Sequence, residues 1–496
     1  MHRFRVVCLA AIVALGLTPV IARADDAPQP NGGQLVDACR SSIGDTPELG
    51  NRTCRSVEAE TNGFAAYCRK QPNVDPDVCA RFSGRVVSQA KVNAYEKSWT
   101  HRALGLQRDL DDAAPLLDEM VIHTHNSFNS SSYPTTVTNQ DPNQLYGLAN
   151  QLRMDIRFLE LDLHWVPSIY GTPATGGYAV TLCHGTGEQV GPATVHVGCS
   201  NDRPFTDGLA EVRMWMDANP HEVVFLYLEN QLFGNPTAHD LATAAIKKYL
   251  GDLVLTTPPG KPCAPMPLST SRAAMRAAGK RVLIVGNCGP GGWGTYVYER
   301  GPNWDESDEG QGNTYPAFPK CLDLRTKYHY DTHWMRWYED STWLAAMSGG
   351  GGFSTADEIM SMVKCGVQMP GMDQAAPDDG RLTAYVWSWA TDQPAGPGQC
   401  AAQGTDARFR ATTCGQSLPF ACVDGAGVWR VTATSGPWGN GFAACQRQYP
   451  GSRFGVPPNG YRNELLRQAR PASASGVWLN YHAVGGAWVP NLVPPR

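Results

Sequence analysis

The chain of 496 residues is long enough for about two or three domains. Its formal net charge is −5, and 18% of its residues are charged without any polybasic run. This balance excludes a strongly basic nucleic-acid-binding protein, so we expect no nucleic-acid partner, and any contact with a membrane surface must use groups other than a basic patch.

The first predicted element is a signal peptide at residues 1–24. Arg3 and Arg5 precede an apolar run from Val6 to Leu17, and Ala22-Arg23-Ala24 has the small-x-small pattern that signal peptidases recognise. An uncleaved membrane anchor is the alternative, but this run of about a dozen residues is shorter than the roughly 20 that span a bilayer. We therefore predict cleavage after Ala24 and a secreted protein, either extracellular or periplasmic.

The cysteine content agrees with export. Cys8 leaves with the signal peptide, and fourteen of the fifteen cysteines remain, an even number that favours disulfides. No two of them have the spacing of a zinc knuckle, which disfavours structural zinc. The predicted pairs are Cys183–Cys199, Cys263–Cys288, Cys400–Cys414 and Cys422–Cys445, with two further bridges among Cys39, Cys54, Cys68 and Cys79.

Three regions follow the signal peptide. Residues 25–110 have helical spacing and four cysteines, which predict a disulfide-stapled helical cap. Residues 111–390 alternate short apolar runs with longer polar or helical stretches, which predicts an α/β fold, a TIM-like parallel β/α barrel of regular or irregular form. The first five strand candidates are residues 119–123, 158–164, 179–184, 223–230 and 281–287.

The second half of the barrel region has weaker signals. A helix from Gly208 is expected to end at Asn219, before Pro220. The best later strand candidates are 365–372 and 382–389. Residues 289–321 fit either a lid or membrane-contact loop with exposed Trp293 and Tyr296, or packing of these rings in the core.

Residues 391–496 are dense in glycine, tryptophan and cysteine and predict a C-terminal disulfide-rich β module. Segments such as Leu418–Cys422 and Gly476–Asn480 resemble pieces of a C-type lectin-like domain, in a different order. The resemblance implies glycan or surface binding by this module. The sequence leaves the oligomeric state open.

The chemistry-bearing residues follow the ends of the first four strand candidates. Glu160 and Asp162 alternate on one face of the second strand. In a parallel barrel such groups gather at one mouth, where oxygen ligands suit Ca²⁺ and two histidines remain for proton transfer. The candidate metal ligands are Asn126, Glu160, Asp162 and Glu229, and the candidate acid–base residues are His125 and His184.

Structural roles are the alternative for each of these residues taken singly. A histidine at a strand end is commonly a hydrogen-bonded structural residue, and this is our interpretation of His123 and His164. Glu160 or Asp162 could instead form a salt bridge with Arg153 or Arg157, or cap a following helix. The arrival of such groups at four successive strand ends favours an active site.

Four motifs together resemble the catalytic X region of phosphatidylinositol-specific phospholipases C: Thr124–Ser127, Arg157–Asp162, Leu182–Gly185 and Leu226–Asn230. The resemblance covers about residues 115–290. It implies a phosphodiesterase of lipid metabolism that acts on a phospholipid at a membrane surface and releases diacylglycerol and a cyclic inositol phosphate.

The same resemblance implies roles for individual residues. His125 resembles the general base that acts on the inositol 2-hydroxyl, and His184 resembles the general acid for the leaving group. Asn126, Glu160, Asp162 and Glu229 match the calcium ligands of the metal-dependent branch. Metal-independent relatives carry arginine at the position of Asp162, so the expected cofactor is Ca²⁺.

One departure from the family bears on the substrate. Eukaryotic phosphoinositide enzymes carry two lysines for the ring phosphates where this chain has Val285 and Asn287. We therefore expect unphosphorylated phosphatidylinositol or a glycosylated relative as substrate.

Two other functions remain open. A glycerophosphodiester phosphodiesterase or sphingomyelinase D-like barrel would also use two histidines and carboxylate ligands, but an arginine-glycine pair would follow the first histidine, where this chain has Asn126-Ser127. An inactive barrel that serves as a glycan- or surface-binding protein would have no chemical need for both His125 and His184.

Overall fold

The structure is a computed structural model that describes residues 89–133, 142–168, 170–184, 187–190, 193–196, 199, 202–307, 314–342, 353–396 and 398–490, with residues 187–190 and 193–196 described by their backbone alone. The predicted signal peptide, most of the predicted helical cap and its four cysteines lie outside the described residues.

Two helices precede the sheet, α1 Gln89–Tyr95 and α2 Trp99–Asp111. The side chain of Ser98 caps α2 by accepting a hydrogen bond from the backbone N–H of His101 at 3.2 Å. The Gln107 side chain of this helix accepts from the backbone N–H of Trp387 at 2.7 Å, so α2 is joined to the end of the barrel region.

The predicted TIM-like α/β fold is confirmed. Eight parallel strands lie in the spatial order β8-β7-β6-β2-β1-β11-β10-β9, and β3 pairs with β2. The first and last strands of the barrel, β1 and β11, are paired, and within the described residues the sheet opens between β8 and β9. The strands to this point are β1 His123–Thr124, β2 Phe158–Pro167, β3 Tyr178–Leu182, β4 Gly187–Val190, β5 Ala193–His196, β6 Val224–Gln231, β7 Val282–Gly286, β8 Val297–Glu299, β9 Trp304–Glu306, β10 Trp334–Trp337 and β11 Met369–Met372.

The helices of this region follow their local sequence signals. In one of them Thr355 and Glu358 form a capping box, and Gly366 closes the other end with φ +76°. The predicted helix end at Asn219 is correct, since this residue is the C-cap. The helices are α3 Leu148–Arg153, α4 Phe205–Ala218, α5 Pro236–Leu250, α6 Arg272–Ala277, α7 Trp293–Tyr296, α8 Leu322–Lys327, α9 Ala356–Cys365 and α10 Gly380–Ala384.

Alternation along the strands separates the two sides of the sheet. On β2, Phe158 faces the barrel interior and stacks on Phe225 of β6, with ring centroids 6.2 Å apart. Its neighbour Leu159 belongs to the separate cluster that packs the sheet against the helices. Large aromatic side chains thus fill the lower barrel, and the polar residues above them lie at its carboxyl-terminal mouth.

Two sequence-based expectations need correction. The strand near residues 179–184 is antiparallel to β2, because it returns from a hairpin, with Leu182 opposite Leu163. Residues 382–389 form no strand of the barrel; α10 and a turn occupy this place. Trp293 is fully buried, so the alternative of core packing applies to it.

The chain after the barrel forms antiparallel β structure, as expected, in sheets ordered β13-β12-β17-β18 and β15-β14-β16. Two helices accompany them, α11 Gly441–Gln448 and α12 Gly460–Ala469. The strands are β12 Cys400–Gly404, β13 Phe409–Thr412, β14 Ala421–Val423, β15 Trp429–Val431, β16 Arg453–Phe454, β17 Gly476–Val484 and β18 Ala487–Val489. The division into regions at residues 110 and 390 stays a prediction.

Five disulfides lie in the described residues. The four predicted pairs outside the N-terminal region are present, and a fifth, Cys321–Cys365, joins residues separated by 44 positions. This long separation offered no local signal for the pair. Among the described residues, no helix is both long and apolar enough to cross a membrane.

Candidate active site

His125 lies directly after β1, at the carboxyl-terminal mouth of the barrel. Its Nδ1 atom is 3.6 Å from Oδ1 of Asp373 and 3.3 Å from Nδ2 of Asn143. The ring of Tyr338 packs on the imidazole at a centroid distance of 4.7 Å. The side chain is therefore held on two sides by groups from other parts of the barrel, as a positioned acid or base requires.

Three carboxylates meet beside this histidine. Glu160 and Asp162 project from β2, and Glu229 projects from β6, where it stands opposite Asp162 in the strand register. Each offers an oxygen atom within 4.8 Å of the others. The predicted convergence of these three residues is present in the structure.

Asn126 contacts this group through its backbone. Its backbone has φ +45°, a left-handed conformation that asparagine tolerates, and its N–H donates to Oε2 of Glu160 at 3.1 Å. Buried oxygen atoms of Asn126, Glu160 and Asp162 lack a hydrogen-bond partner in the described structure: Oδ1, Oε1 and Oδ1 respectively. Such unsatisfied oxygens fit a hard cation such as Ca²⁺, since burial without a partner is costly.

Arg336 on β10 lies under the carboxylates. Its guanidinium donates to Oε2 of Glu160 and to Oε2 of Glu306, the second at 3.3 Å. Arg300 also pairs with Glu306, at 3.2 Å. Arg336 and Arg300 thus compensate Glu160 and Glu306, whereas no guanidinium group among the described residues pairs with Asp162 or Glu229.

The pKa values of the carboxylates reflect this arrangement. Burial, followed by repulsion from Glu229 and Glu160, raises the pKa of Asp162 well above its usual range. Burial and the charge of Glu160 also raise the pKa of Glu229. The pKa of Glu160 is lowered despite its burial, because Arg336 and His125 stabilise its charge. A cation would relieve the repulsion that raises the first two values.

His184 reaches the same mouth from the opposite direction. It follows β3, which descends beside β2, and the N–H of the preceding Cys183 donates to the carbonyl of Asp162 at 3.3 Å. Burial and the positive charge of His125 lower the pKa of His184 to about 4, against smaller opposing effects of Asp340 and Glu160. The two histidines are therefore close enough to interact electrostatically.

The pKa of His125 moves in the opposite direction. Burial lowers it, but the charges of Glu160 and Asp373 outweigh burial and raise the pKa to about 9. With these pKa values His125 is protonated at neutral pH and His184 is neutral.

The other strand-end histidines differ from this pair. His123 is fully buried, accepts a hydrogen bond from Nε of Arg336 at 3.2 Å, and has a pKa lowered by burial to about 4. His164 is also fully buried. Glu160 does form a salt bridge, but with Arg336 rather than with Arg153 or Arg157, which pair with Glu96 and Glu222 respectively.

Several residues of the site were not identified from the sequence. Asp373 follows a strand that the sequence did predict, and its position at that strand end was the available signal. Arg336 and Tyr338 belong to the short β10 and its end, which gave no strand signal. Asn143 lies in a connection, and nothing in its sequence context points to the site.

The structure also shows the two positions where eukaryotic phosphoinositide enzymes carry lysines. Val285 is buried in the barrel interior, and Asn287 is exposed at the mouth, where its Oδ1 accepts a hydrogen bond from Arg300 at 2.9 Å. Neither position supplies a cation.

The parallel barrel, with two histidines and clustered carboxylates at its carboxyl-terminal mouth, has the fold of a PI-PLC-like protein. Residues 82–379 match the family described as the Rv2075c PI-PLC-like domain, and the chain belongs to this family. Two relatives from Mycobacterium tuberculosis, the uncharacterized proteins Rv2075c of strain H37Rv and MT2135 of strain CDC 1551, are each 36% identical over 463 residues, which cover 89% of this chain and 89% of the relative.

Solved structures with a similar fold include two phospholipases. The phosphatidylinositol-specific phospholipase C of Listeria monocytogenes aligns with a TM-score of 0.37 and 14% identity, over 57% of this chain and 98% of that one. A calcium-dependent phosphoinositol-specific phospholipase C from Pseudomonas sp. aligns with a TM-score of 0.30 and 12% identity, over 54% of this chain and 94% of that one.

Proposed function

We propose that the protein is a secreted, calcium-dependent phosphodiesterase that cleaves phosphatidylinositol, or a glycosylated relative, to diacylglycerol and a cyclic inositol phosphate. The observation that carries this proposal is the joint presence at one barrel mouth of His125, His184 and three carboxylates, of which Glu160 and Asp162 are buried and Glu229 is partly exposed. Membership of a PI-PLC-like family supports the reaction class.

The proposed chemistry is intramolecular transfer. His125 accepts the proton of the inositol 2-hydroxyl, whose oxygen attacks phosphorus, and His184 donates a proton to the departing diacylglycerol oxygen. The P–O bond to the ring forms as the P–O bond to diacylglycerol breaks, so one proton is taken up and one is released. Asp373 is the residue that orients His125.

The cation would be held by Asn126, Glu160, Asp162 and Glu229. When bound, Ca²⁺ supplies positive charge beside the phosphate and makes the attacking hydroxyl more acidic. Two features of these residues fit Ca²⁺: their buried oxygen atoms without hydrogen-bond partners, and the close approach of three carboxylates.

The histidine pKa values set a condition on these roles. A general base must be neutral, whereas the charge of Glu160 favours the protonated form of His125. A bound cation that compensates the charge of Glu160 would move the pKa of His125 back towards its ordinary value. The anionic phosphodiester beside His184 raises the pKa of this residue and favours the protonated form that an acid requires.

An unphosphorylated inositol ring is the proposed headgroup. The guanidinium groups beside the carboxylates, Arg300 and Arg336, are engaged with Glu306 and Glu160 rather than held ready for ring phosphates.

Exposed aromatic side chains support peripheral action on a lipid surface. Phe233, which is 44% exposed, lies just beyond the end of β6, and Tyr178, 38% exposed, lies at the far end of the β2–β3 hairpin. Phe233 follows β6, and Tyr178 begins β3 opposite Pro167, so both lie beyond the carboxyl-terminal ends of the parallel strands, where a phospholipid headgroup would enter. The predicted signal peptide and the five disulfides support export.

The test is ³¹P NMR of the purified protein with phosphatidylinositol vesicles and Ca²⁺. We expect a five-membered cyclic inositol phosphate as the first product, and a rate loss of about 10²-fold or more for His125→Ala and for His184→Ala. His221→Ala, a change at an exposed histidine, is the matched control and should keep the wild-type rate.

Two outcomes would contradict the proposal. One is a wild-type rate in His125→Ala. The other is release of phosphatidic acid in place of diacylglycerol, which would indicate cleavage on the other side of the phosphorus, as in the sphingomyelinase D-like alternative.

A further inference from the structure

A second group of metal-binding side chains lies on the outside of the barrel, at edge strand β9. The inward-facing neighbours on this strand are Trp304, which packs in the barrel interior, and Glu306, which pairs with Arg336. Because successive side chains of a strand point to opposite faces, Asp305 projects outward, away from the carboxylate group described above.

Two histidines converge on this aspartate. His329 and His333 are four positions apart in the turn that precedes β10, where the N–H of His333 donates to the carbonyl of His329 at 2.9 Å. Their Nδ1 atoms lie 3.0 Å and 2.9 Å from the same oxygen, Oδ2 of Asp305. The two rings are 5.0 Å apart. One ligand atom from each of the three residues lies within 4.8 Å of the others.

The turn that carries the histidines is anchored at several points. His329 has φ +46°, a conformation in which histidine is enriched, and Tyr330 beside it is 1% exposed within a packed cluster. Arg325 pairs with Asp331, and the Cys321–Cys365 bridge holds the start of α8. The imidazoles are therefore placed by rigid surroundings before any ligand binds, which lowers the entropic cost of binding.

We propose that Asp305, His329 and His333 form a binding site for a divalent transition-metal ion, with Zn²⁺ as the favoured occupant. Two imidazole nitrogens and one carboxylate oxygen are a typical donor set for zinc, whereas Ca²⁺ prefers oxygen ligands alone. His329 is 60% exposed at its side chain, which leaves room for water or an added ligand in the remaining coordination position. The site is distinct from the proposed calcium centre because its ligands lie on the opposite face of the sheet.

The site also has a mechanical consequence for the barrel. A metal ion would fix the turn at residues 329–333 to β9, an edge strand that pairs only with β10 among the described strands. Zn²⁺ should therefore raise the melting temperature of the protein as well as bind to it.

The test is Zn²⁺ titration of the metal-stripped full chain by isothermal titration calorimetry, in saturating Ca²⁺ so that the carboxylate centre is filled. We expect His329→Ala, His333→Ala and Asp305→Asn each to lose one equivalent of Zn²⁺ or to bind it at least about tenfold more weakly than wild type. His221→Ala is the matched control and should bind as wild type. Co²⁺ in place of Zn²⁺ gives a second readout, since its visible absorption band should weaken in the same three variants and persist in the control.

The proposal is overturned if the three variants and the wild type bind Zn²⁺ with equal stoichiometry and affinity, or if Zn²⁺ fails to raise the wild-type melting temperature. Circular dichroism of each variant identifies a loss that arises from misfolding. If a variant is misfolded, Asp305→Glu replaces it in the titration. This change keeps the carboxylate and the fold and should retain the bound Zn²⁺.

Discussion

At the scale of single residues, Asp162 is the clearest indicator of a cation site. The residue is 4% exposed, its Oδ1 has no hydrogen-bond partner among the described groups, and Glu160 and Glu229 lie beside it. A purely structural position would not gather like charges in this way without a compensating ion.

Asp162→Asn should therefore have opposite effects without and with calcium. In chelator the variant should be more stable than wild type, because it removes the repulsion from Glu229 and Glu160 that raises the pKa of Asp162, whereas Ca²⁺ should stabilise it less than wild type because a ligand is lost. Because the folded-state pKa of Asp162 is raised, this destabilisation of the wild type is absent below pH about 4 and grows as the pH rises. Thermal melts with and without Ca²⁺ measure both effects, and a variant that Ca²⁺ stabilises as much as wild type would contradict the assignment.

The pH dependence of His125 gives a second residue-scale prediction. Its pKa of about 9 lies above its ordinary value of 6.5, so its contribution to stability is fully present below pH 6.5 and is lost as the pH rises through about 9. Asp373→Asn should lower this pKa towards 6.5, since the Asp373 charge helps to raise it. NMR titration of the His125 imidazole in chelator measures the shift, and an unchanged pKa would show that Asp373 does not act on this ring.

At the scale of elements, the sequence predicted the long strands β2 and β6 and missed three of the short ones, β8, β9 and β10. β2 and β6 were visible because they carry runs of eight to ten residues with strong alternation above an apolar core. β8 and β9 have three residues each and β10 has four, too few for a periodic signal. Arg336 was missed for this reason, although it holds Glu160 in place.

The hairpin formed by β2 and β3 gives a different lesson. A strand before His184 was predicted correctly, but strand direction depends on the pairing partner, which no local pattern contains. The proposed His184 position survives the correction because β3 descends beside β2 and ends near Asp162.

Arg336 on β10 provides the element-scale prediction. It is 3% exposed and pairs with Glu160 and Glu306, so Arg336→Met should leave buried carboxylates uncompensated and cost about 3–5 kcal/mol of unfolding free energy. Arg213→Met is the matched control, because its pairs with exposed aspartates contribute at most about 1 kcal/mol. Urea unfolding in chelator measures the unfolding free energy of both variants. Equal losses would show that Arg336 does not compensate the buried carboxylates.

At the scale of the whole molecule, the C-terminal β structure is built into the fold. The side-chain amide of Asn463 in α12 donates to the carbonyl of Trp387 at 3.2 Å and to that of Ala407 at 2.8 Å. One apolar cluster includes Leu161 of β2 as well as Leu466 and Tyr481 of the C-terminal part. Glycan binding by this part stays a prediction.

Continuity of the core predicts a single cooperative unfolding transition of the described regions. Asn463→Ala should lower the midpoint of that transition by the equivalent of about 1–3 kcal/mol, because it leaves buried backbone carbonyls without donors. Asn440→Ala, at an exposed position, should change it by less than about 0.5 kcal/mol. Differential scanning calorimetry makes the measurement, and a separate early transition that alone responds to Asn463→Ala would show independent folding of the C-terminal part.

The central claim is that the barrel mouth performs calcium-dependent cleavage of phosphatidylinositol. The most direct measurement is the initial rate of diacylglycerol release from phosphatidylinositol vesicles across a buffered series of free Ca²⁺ concentrations, for wild type and Asp162→Asn. The account predicts no release in chelator, a saturable rise with Ca²⁺ for wild type, and loss of that rise in the variant. Equal release with chelator and with Ca²⁺, or a wild-type response in Asp162→Asn, would contradict it.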